Sequence, residues 1–122
     1  MHTVPEDHFY KTFDLALTQP DLVRGVLFEN DAEIVGYALL AFSYSNEAGG
    51  LVVWLEELYI LEDARGHGLG TAFFRFLAKE YGDACLLRLE VTPNNLHAIH
   101  LYEKLGFTPL RYLQMARDVS LS

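Results

Sequence analysis

The segment RGHGLG, Arg65 to Gly70, places a glycine at every second position. Glycine adopts backbone conformations closed to other residues and lets a ligand approach the backbone N–H groups. An amphipathic run typical of a helix follows, and the first N–H groups of a helix have no internal partner. Arg65 adds a forked positive charge suited to phosphate oxygens. The pattern predicts a loop that binds phosphate, with a purely structural turn as the alternative.

Two common phosphate-binding motifs do not fit this loop. A nucleotide-hydrolase loop needs Lys and then Ser or Thr after its last glycine, whereas Thr71 follows Gly70 directly. A dinucleotide fingerprint needs a third glycine at position 71, where this chain has threonine. The loop by itself is therefore weak evidence for any one ligand.

Composition and charge limit the class of protein. With 122 residues, 51% of them hydrophobic, the chain is long enough for one domain with a hydrophobic core, so we expect a single domain over residues 1–122. The net charge of −8 argues against nucleic acid and favours cationic partners, although solubility alone also explains it. The single cysteine, Cys85, fits a reducing compartment, and no segment resembles a membrane span or a secretion signal. We expect a cytoplasmic protein with no nucleic-acid or membrane partner.

Hydrophobic periodicity predicts the elements that position the loop. Thr3 and Glu6 have capping-box spacing at the start of a first helix, and Cys85 is expected to be a buried strand residue. The predicted order is helix 5–18, strands 22–29, 33–44 and 51–61, a helix from 69 to about 81, strand 84–92, helix 95–105 and a last strand 110–119. The strand–helix–strand crossover makes strands 51–61 and 84–92 parallel. We therefore expect an α/β (α+β) fold with a mixed, mostly antiparallel sheet flanked by helices.

Two stretches carry a resemblance to a known family. The first, LEELYILEDARGHGLG, ends in a loop of the form Arg or Gln, two residues, Gly, one residue, Gly or Ala. The second, NNLHAIHLYEKLGF, matches an Asn–x–x–Ala–x–x–x–Tyr pattern followed by Gly-Phe, through Asn95, Ala98, Tyr102, Gly106 and Phe107. Residues 54–107 thus resemble the GNAT-type N-acetyltransferase superfamily of acyl-CoA N-acyltransferases. Several spaced matches in this order are more specific than the loop alone.

The resemblance implies acetyl-CoA as the co-substrate. In this family the loop amides bind the CoA pyrophosphate, and the preceding strand, splayed from its parallel neighbour and often bulged, pairs with the pantetheine arm. Asn95 would contact the cofactor or cap the following helix. The implied cofactor-binding residues are Leu58, Tyr59, Ile60, Arg65, Gly66, His67, Gly68, Leu69, Gly70, Thr71 and Asn95. No metal is expected, because His97 and His100 lack an evident third ligand.

The resemblance also implies a reaction, the transfer of an acetyl group to a primary amine by direct attack in a ternary complex. The acceptor would be a polyamine, a small amine or a protein amino group. Tyr102 matches the tyrosine that protonates the CoA thiolate, with a core aromatic as the alternative. Glu56 and Glu57 match the acidic pair of diamine and polyamine-type members.

Neighbouring strand residues point to opposite faces, so we expect at most one of the two glutamates to face the amine directly. Glu56 is the expected base, acting through water. A carboxylate that binds substrate or is merely solvated is the alternative.

The chain is short for this superfamily. A leading strand and helix are absent before residue 22, so strand 22–29 would be an open sheet edge, which proteins normally cover. We therefore expect either a truncation or a homodimer that covers the edge. The shortened acceptor region leaves a second possibility, an acyl-CoA-binding module without catalysis. A third is an unrelated phosphate-binding α/β domain with no affinity for CoA.

Overall fold

A computed structural model describes residues 6–84 and 86–120, except for the side chains of residues 6, 7 and 9. The predicted capping pair of Thr3 and Glu6 and the predicted burial of Cys85 lie outside the described residues and side chains. The described elements are α1 (Glu6–Thr18), β1 (Val23–Asn30), β2 (Glu33–Ser45), β3 (Gly50–Ile60), a 3-10 turn (Glu62–Ala64), α2 (Leu69–Glu80), β4 (Leu86–Leu89) and α3 (Leu96–Lys104). The chain divides into two compact units, Met1–Glu90 and Val91–Ser122. No helix of the described ranges is long and apolar enough to cross a membrane.

The four strands form one sheet in the order β1-β2-β3-β4. The first three are antiparallel to their neighbours, and β4 runs parallel to β3 because α2 provides the crossover between them. This arrangement confirms the predicted mixed sheet. Within the described residues β1 pairs with β2 alone, so β1 is an edge strand, as predicted.

One face of the sheet packs against α2. The side chains of Phe73 and Leu77 are buried on the helix, and Ala38 and Leu40 are fully buried on β2. The rings of Phe28 and Phe73 lie 5.1 Å apart between centroids, so the helix packs against β1. Because side chains alternate along a strand, the neighbours of Ala38 and Leu40 in β2 point to the opposite face.

A bulge interrupts the pairing of β2 and β3. Leu39 pairs with Glu57 and Leu40 pairs with Leu55, so Glu56 has no partner on β2. An extra residue of this kind bends the strand and increases its local twist. Periodicity predicted the bounds of β3 to within one residue, but the bulge depends on the register with β2.

Beyond the bulge, β3 has a strand on one side only. Parallel pairing with β4 runs from Val52 opposite Leu86 to Leu55 opposite Leu89 and then stops. Residues 56–60 remain paired with β2, and no strand of the described ranges lies along their other edge. That edge offers backbone groups to an added extended chain.

The structure shortens one predicted strand and removes another. Strand 84–92 is confined to Leu86–Leu89, because β3 bends at the bulge just where the pairing ends. The prediction of a last strand over residues 110–119 is wrong, since residues 107–118 form no regular element. All side chains from 108 to 120 are exposed, so this segment lacks the buried face that stabilises a strand.

Candidate active site

The glycine loop between β3 and α2 presents a run of backbone amides. Gly66 and Gly68 have φ values of 80° and 81°, in the left-handed region that favours glycine. Gly68 is the N-cap of α2, and no side chain caps this end. The N–H of Ala72 makes the first helical hydrogen bond, to the carbonyl oxygen of Gly68 at 2.9 Å. The amides of residues 66–71 have no acceptor among the described residues, so they are available to an anion.

The space in front of these amides is open. A Cβ atom built on Gly66, Gly68 or Gly70 would meet nothing within 4 Å. His67 is also exposed. The loop therefore has both the donors and the room that a phosphate group requires.

Arg65 is folded back onto β3. Its Nε donates to the carbonyl oxygen of Ile60 at 2.8 Å, and its guanidinium carbon lies 5.7 Å from the ring centroid of Tyr59. These contacts hold the side chain at the start of the loop. Its terminal nitrogens form no further hydrogen bond with the described residues.

Three of the predicted cofactor-binding residues, Leu58, Tyr59 and Ile60, lie in the part of β3 with a free edge. Leu58 pairs with Ala38 and Ile60 with Gly36, so this part is held on the β2 side. The structure thus brings the free edge and the free amides together along one continuous segment of the first unit.

Glu57 is held by a neighbour on β2. The hydroxyl of Tyr37 donates a hydrogen bond to Oε1 of Glu57, and the rings of Tyr37 and Tyr59 lie 6.0 Å apart. Burial, together with the hydrogen bond and charge of Glu57, raises the pKa of Tyr37 to about 12. The phenol is therefore protonated at neutral pH and remains a donor to the carboxylate.

Glu56 has different surroundings. It lines a cavity of about 160 Å³ together with Glu90, Trp54 and Leu55. Glu56 and Glu90 are the first residues beyond the parallel pairing of β3 and β4, so two carboxylates meet where the strands stop pairing. The guanidinium carbon of Arg88 lies 4.3 Å from the ring centroid of Trp54 beside this cavity.

Glu90 and Tyr37 were not among the site residues predicted from the sequence. For Glu90 the available signal was its position just after a parallel strand, since crevices at the carboxyl ends of such strands commonly bind ligands. For Tyr37 there was none, because a tyrosine in an apolar central strand is indistinguishable from a core aromatic.

A larger cavity of about 480 Å³ lies at the other end of β3, near Leu51. Two of its charged groups, Arg24 and Glu80, are already paired, because Nη1 of Arg24 donates to the hydroxyl of Tyr81 at 2.7 Å and to Glu80 at 3.2 Å. It adjoins the C-terminal end of α2, whereas the free amides lie at the N-terminal end. The smaller cavity beside the bulge is therefore the better candidate for chemistry.

In the second unit, both ends of α3 are fixed by the residues that the sequence pattern singled out. Oδ1 of Asn95 accepts a hydrogen bond from the N–H of Ala98 at 3.2 Å, so Asn95 is the N-cap. Gly106 has a φ of 96°, and the N–H of Phe107 donates to the carbonyl oxygen of Tyr102 at 3.0 Å, as in a Schellman motif. A contact of Asn95 with the cofactor stays a prediction.

Tyr102 is half-buried on α3. The ring of Phe107 packs edge-on against it, with the centroids 5.9 Å apart. Burial raises the pKa of Tyr102, so its phenol is protonated at neutral pH and able to donate a proton. On the same helix His97 and His100 are exposed, and no group of three or more His, Cys, Asp or Glu residues in the described ranges is placed to hold a metal ion.

A family model connects these features with known proteins. The model of the GNAT acetyltransferase family matches residues 2–107. The chain belongs to the GNAT acetyltransferase family. The matched range includes the sheet, the glycine loop, α2 and α3, which confirms the resemblance found in the sequence.

Individual GNAT proteins resemble the chain at moderate identity. It is 29% identical over 107 residues to the spermine/spermidine N(1)-acetyltransferase of Bacillus subtilis, a match covering 84% of this chain and 62% of that relative. It is 32% identical over 124 residues to the N-alpha-acetyltransferase of Sulfurisphaera tokodaii, covering 91% and 71% of the two chains. The solved structure of aminoglycoside N-acetyltransferase AAC(6')-Iy in complex with CoA has the same fold, with a TM-score of 0.78 at 19% identity over 94% and 78% of the chains.

Proposed function

We propose that this GNAT chain forms an N-acetyltransferase that transfers an acetyl group from acetyl-CoA to a primary amine. The acceptor would be a polyamine, a small amine or a protein amino group. The observation that carries the proposal is the continuity of the free edge of β3, residues 56–60, with the free amides of residues 66–71. Two curated relatives named for the acetylation of amines support the assignment.

The donor side of the site fits the chemistry of CoA. Residues 66–71 present N–H groups at the positive end of the α2 dipole, which suits a pyrophosphate, and Arg65 stands beside them. Residues 58–60 would pair with the amide groups of the pantetheine arm as an added strand. Acetyl-CoA, when bound, supplies an acetyl group activated as a thioester. A backbone N–H of β3 would polarise the thioester carbonyl.

The acceptor side must remove a proton, because an ammonium group has no lone pair with which to attack. We assign this role to Glu56, acting through water, since it lines the cavity where the pairing of β3 and β4 stops. Tyr102 would give a proton to the departing thiolate, an assignment that rests on the family pattern and on its protonated phenol.

The direct test incubates the protein with acetyl-CoA and a panel of amines while free thiol is followed. Release of thiol that depends on the amine is expected. Binding of acetyl-CoA without amine-dependent release would instead indicate an acyl-CoA-binding module. No affinity for CoA would contradict both functions and indicate an unrelated phosphate-binding domain.

No strand of the described ranges pairs with the outer edge of β1, which supports a further part of the proposal, that the enzyme acts as a homodimer which covers this edge. Sedimentation equilibrium at micromolar concentration is expected to give twice the chain mass of 13.9 kDa. A monomer over the whole concentration range would contradict the dimer and leave the proposed reaction intact.

A further inference from the structure

Tyr37 and Glu57 form a hydrogen-bonded pair next to the bulge. The pair lies on the face of the sheet opposite α2, because Tyr37 alternates along β2 with Ala38, which is buried on the α2 side. Both side chains are half-buried. Tyr37 has no part in the donor site described above.

The bulge is what brings Glu57 to this face. Leu55 pairs with Leu40 and Glu57 pairs with Leu39, and these two β2 residues point to opposite faces. Leu55 and Glu57 therefore face opposite sides, although residues two apart in a regular strand share one. The extra residue, Glu56, thus places Glu57 on the face where Tyr37 stands.

The pair leaves one carboxylate oxygen open. Oε1 of Glu57 accepts the hydrogen bond from Tyr37, whereas Oε2 forms none with the described residues. The ring of Tyr59 lies beside the pair, 6.0 Å from the ring of Tyr37. A fixed carboxylate flanked by two aromatic rings is suited to bind a cation.

We propose that Tyr37 is a positioning residue of the acceptor site, which holds Glu57 through Oε1 so that Oε2 binds a second, non-reacting ammonium group of the acceptor. The inference rests on the proposed function. An ammonium group has three donors and no acceptor, so the open oxygen of Glu57 selects amines that carry a further positive charge. Glu56 and Glu57 then have separate tasks, since Glu56 lines the cavity and Glu57 recognises charge.

The test compares Tyr37→Phe with the unchanged protein, using spermidine and butylamine as acceptors. The variant loses only the hydroxyl group. We expect the KM for spermidine to rise about 10-fold, the order of a hydrogen bond to a charged group, with kcat and the KM for acetyl-CoA unchanged. The kinetics with butylamine, which has no second charge, should not change. Tyr44→Phe, at an exposed tyrosine of the same strand, is the matched control.

A double-variant cycle tests whether Tyr37 acts through Glu57. Glu57→Gln should raise the KM for spermidine at least as much as Tyr37→Phe, and the double variant should be no worse than Glu57→Gln alone. Additive losses would overturn the inference. An unchanged KM in Tyr37→Phe would overturn it too, while leaving the proposed function in place.

Equilibrium binding separates this inference from the proposed function. Calorimetric titration of spermidine into the protein without acetyl-CoA should give a Kd that rises about 10-fold in Tyr37→Phe. If spermidine binding depends on Tyr37 but no thiol is released in the amine assay, the cation site stands and the proposed transferase activity is contradicted. If Tyr37→Phe does not fold, the same spermidine titration is carried out on Glu57→Gln. An unchanged Kd for spermidine in that variant would overturn the inference.

Discussion

Tyr102 is half-buried near the C-terminal end of α3. Phe107 contacts its ring and, through the Schellman hydrogen bond, its carbonyl oxygen. Burial raises the pKa of the phenol above its ordinary value of about 10, and the protonated form is the one that acts as an acid. A phenol that is protonated over the physiological pH range therefore occupies the position that the family pattern indicates.

Replacing Tyr102 with Phe is expected to lower kcat at least about 10-fold and to leave the KM for acetyl-CoA nearly unchanged, because the interaction is made in the transition state. Since the raised pKa keeps the phenol protonated, kcat should not fall through this group below about pH 10. Steady-state kinetics across pH measures both quantities, with Tyr44→Phe as the control. An unchanged kcat would assign Tyr102 to packing alone.

The glycine loop allows a second prediction with a matched control. Gly68 and Gly49 have φ values of 81° and 83°, and neither has an atom within 4 Å of a built Cβ. Alanine at either position should reduce the free energy of unfolding by about 1–2 kcal/mol, because the left-handed conformation is strained. Of the two variants, only Gly68→Ala should weaken acetyl-CoA binding, as measured by calorimetry, because strain at Gly68 changes the orientation of the loop N–H groups. If Gly68→Ala and Gly49→Ala bound acetyl-CoA with equal affinity, the pyrophosphate would not bind at the glycine loop.

Among the elements, β3 positions most of the candidate site. The sequence predicted its bounds, its order in the sheet and the parallel crossover, because these depend on local periodicity and on general rules of connection. It did not predict that Glu56 is an extra residue, which depends on the register with a strand some twenty residues away. For the same reason the hydrogen bond between Tyr37 and Glu57 could not be predicted.

The close approach of β2 and β3 at Gly36 supports a prediction about stability. A Cβ there would collide with the carbonyl oxygen of Tyr59 and lie 3.1 Å from Cα of Ile60. Gly36→Ala should therefore lower the free energy of unfolding by about 1–3 kcal/mol, as overpacking does. At Gly25, also in a strand, the nearest atom is a side-chain carbon of Leu39 at 3.9 Å, so Gly25→Ala should change little. Denaturant unfolding measures the free energy of unfolding of both variants. Equal losses in the two variants would contradict the close approach of β2 and β3 at Gly36.

Over the whole molecule, the net charge of −8 predicts that the proposed acceptor reaction depends on salt. Raising the ionic strength from about 0.01 M to about 0.1 M shortens the Debye length from about 30 Å to about 10 Å, which screens the attraction of the protein for cations. The KM for spermidine should therefore rise over this range, and the KM for butylamine should rise less. Equal rises for the two amines would show that the overall charge does not favour polycationic acceptors.

The bulge at Glu56 also has a genetic consequence. Because Glu56 has no partner on β2, a chain without it retains all ten pairs between β2 and β3. Such a chain would have a regular ladder, in which Leu55 and Glu57 become chain neighbours on opposite faces, and no bend where β4 stops. One inserted codon is thus enough to introduce a bend at the point where β3 loses its pairing with β4 and its edge becomes open to a second molecule.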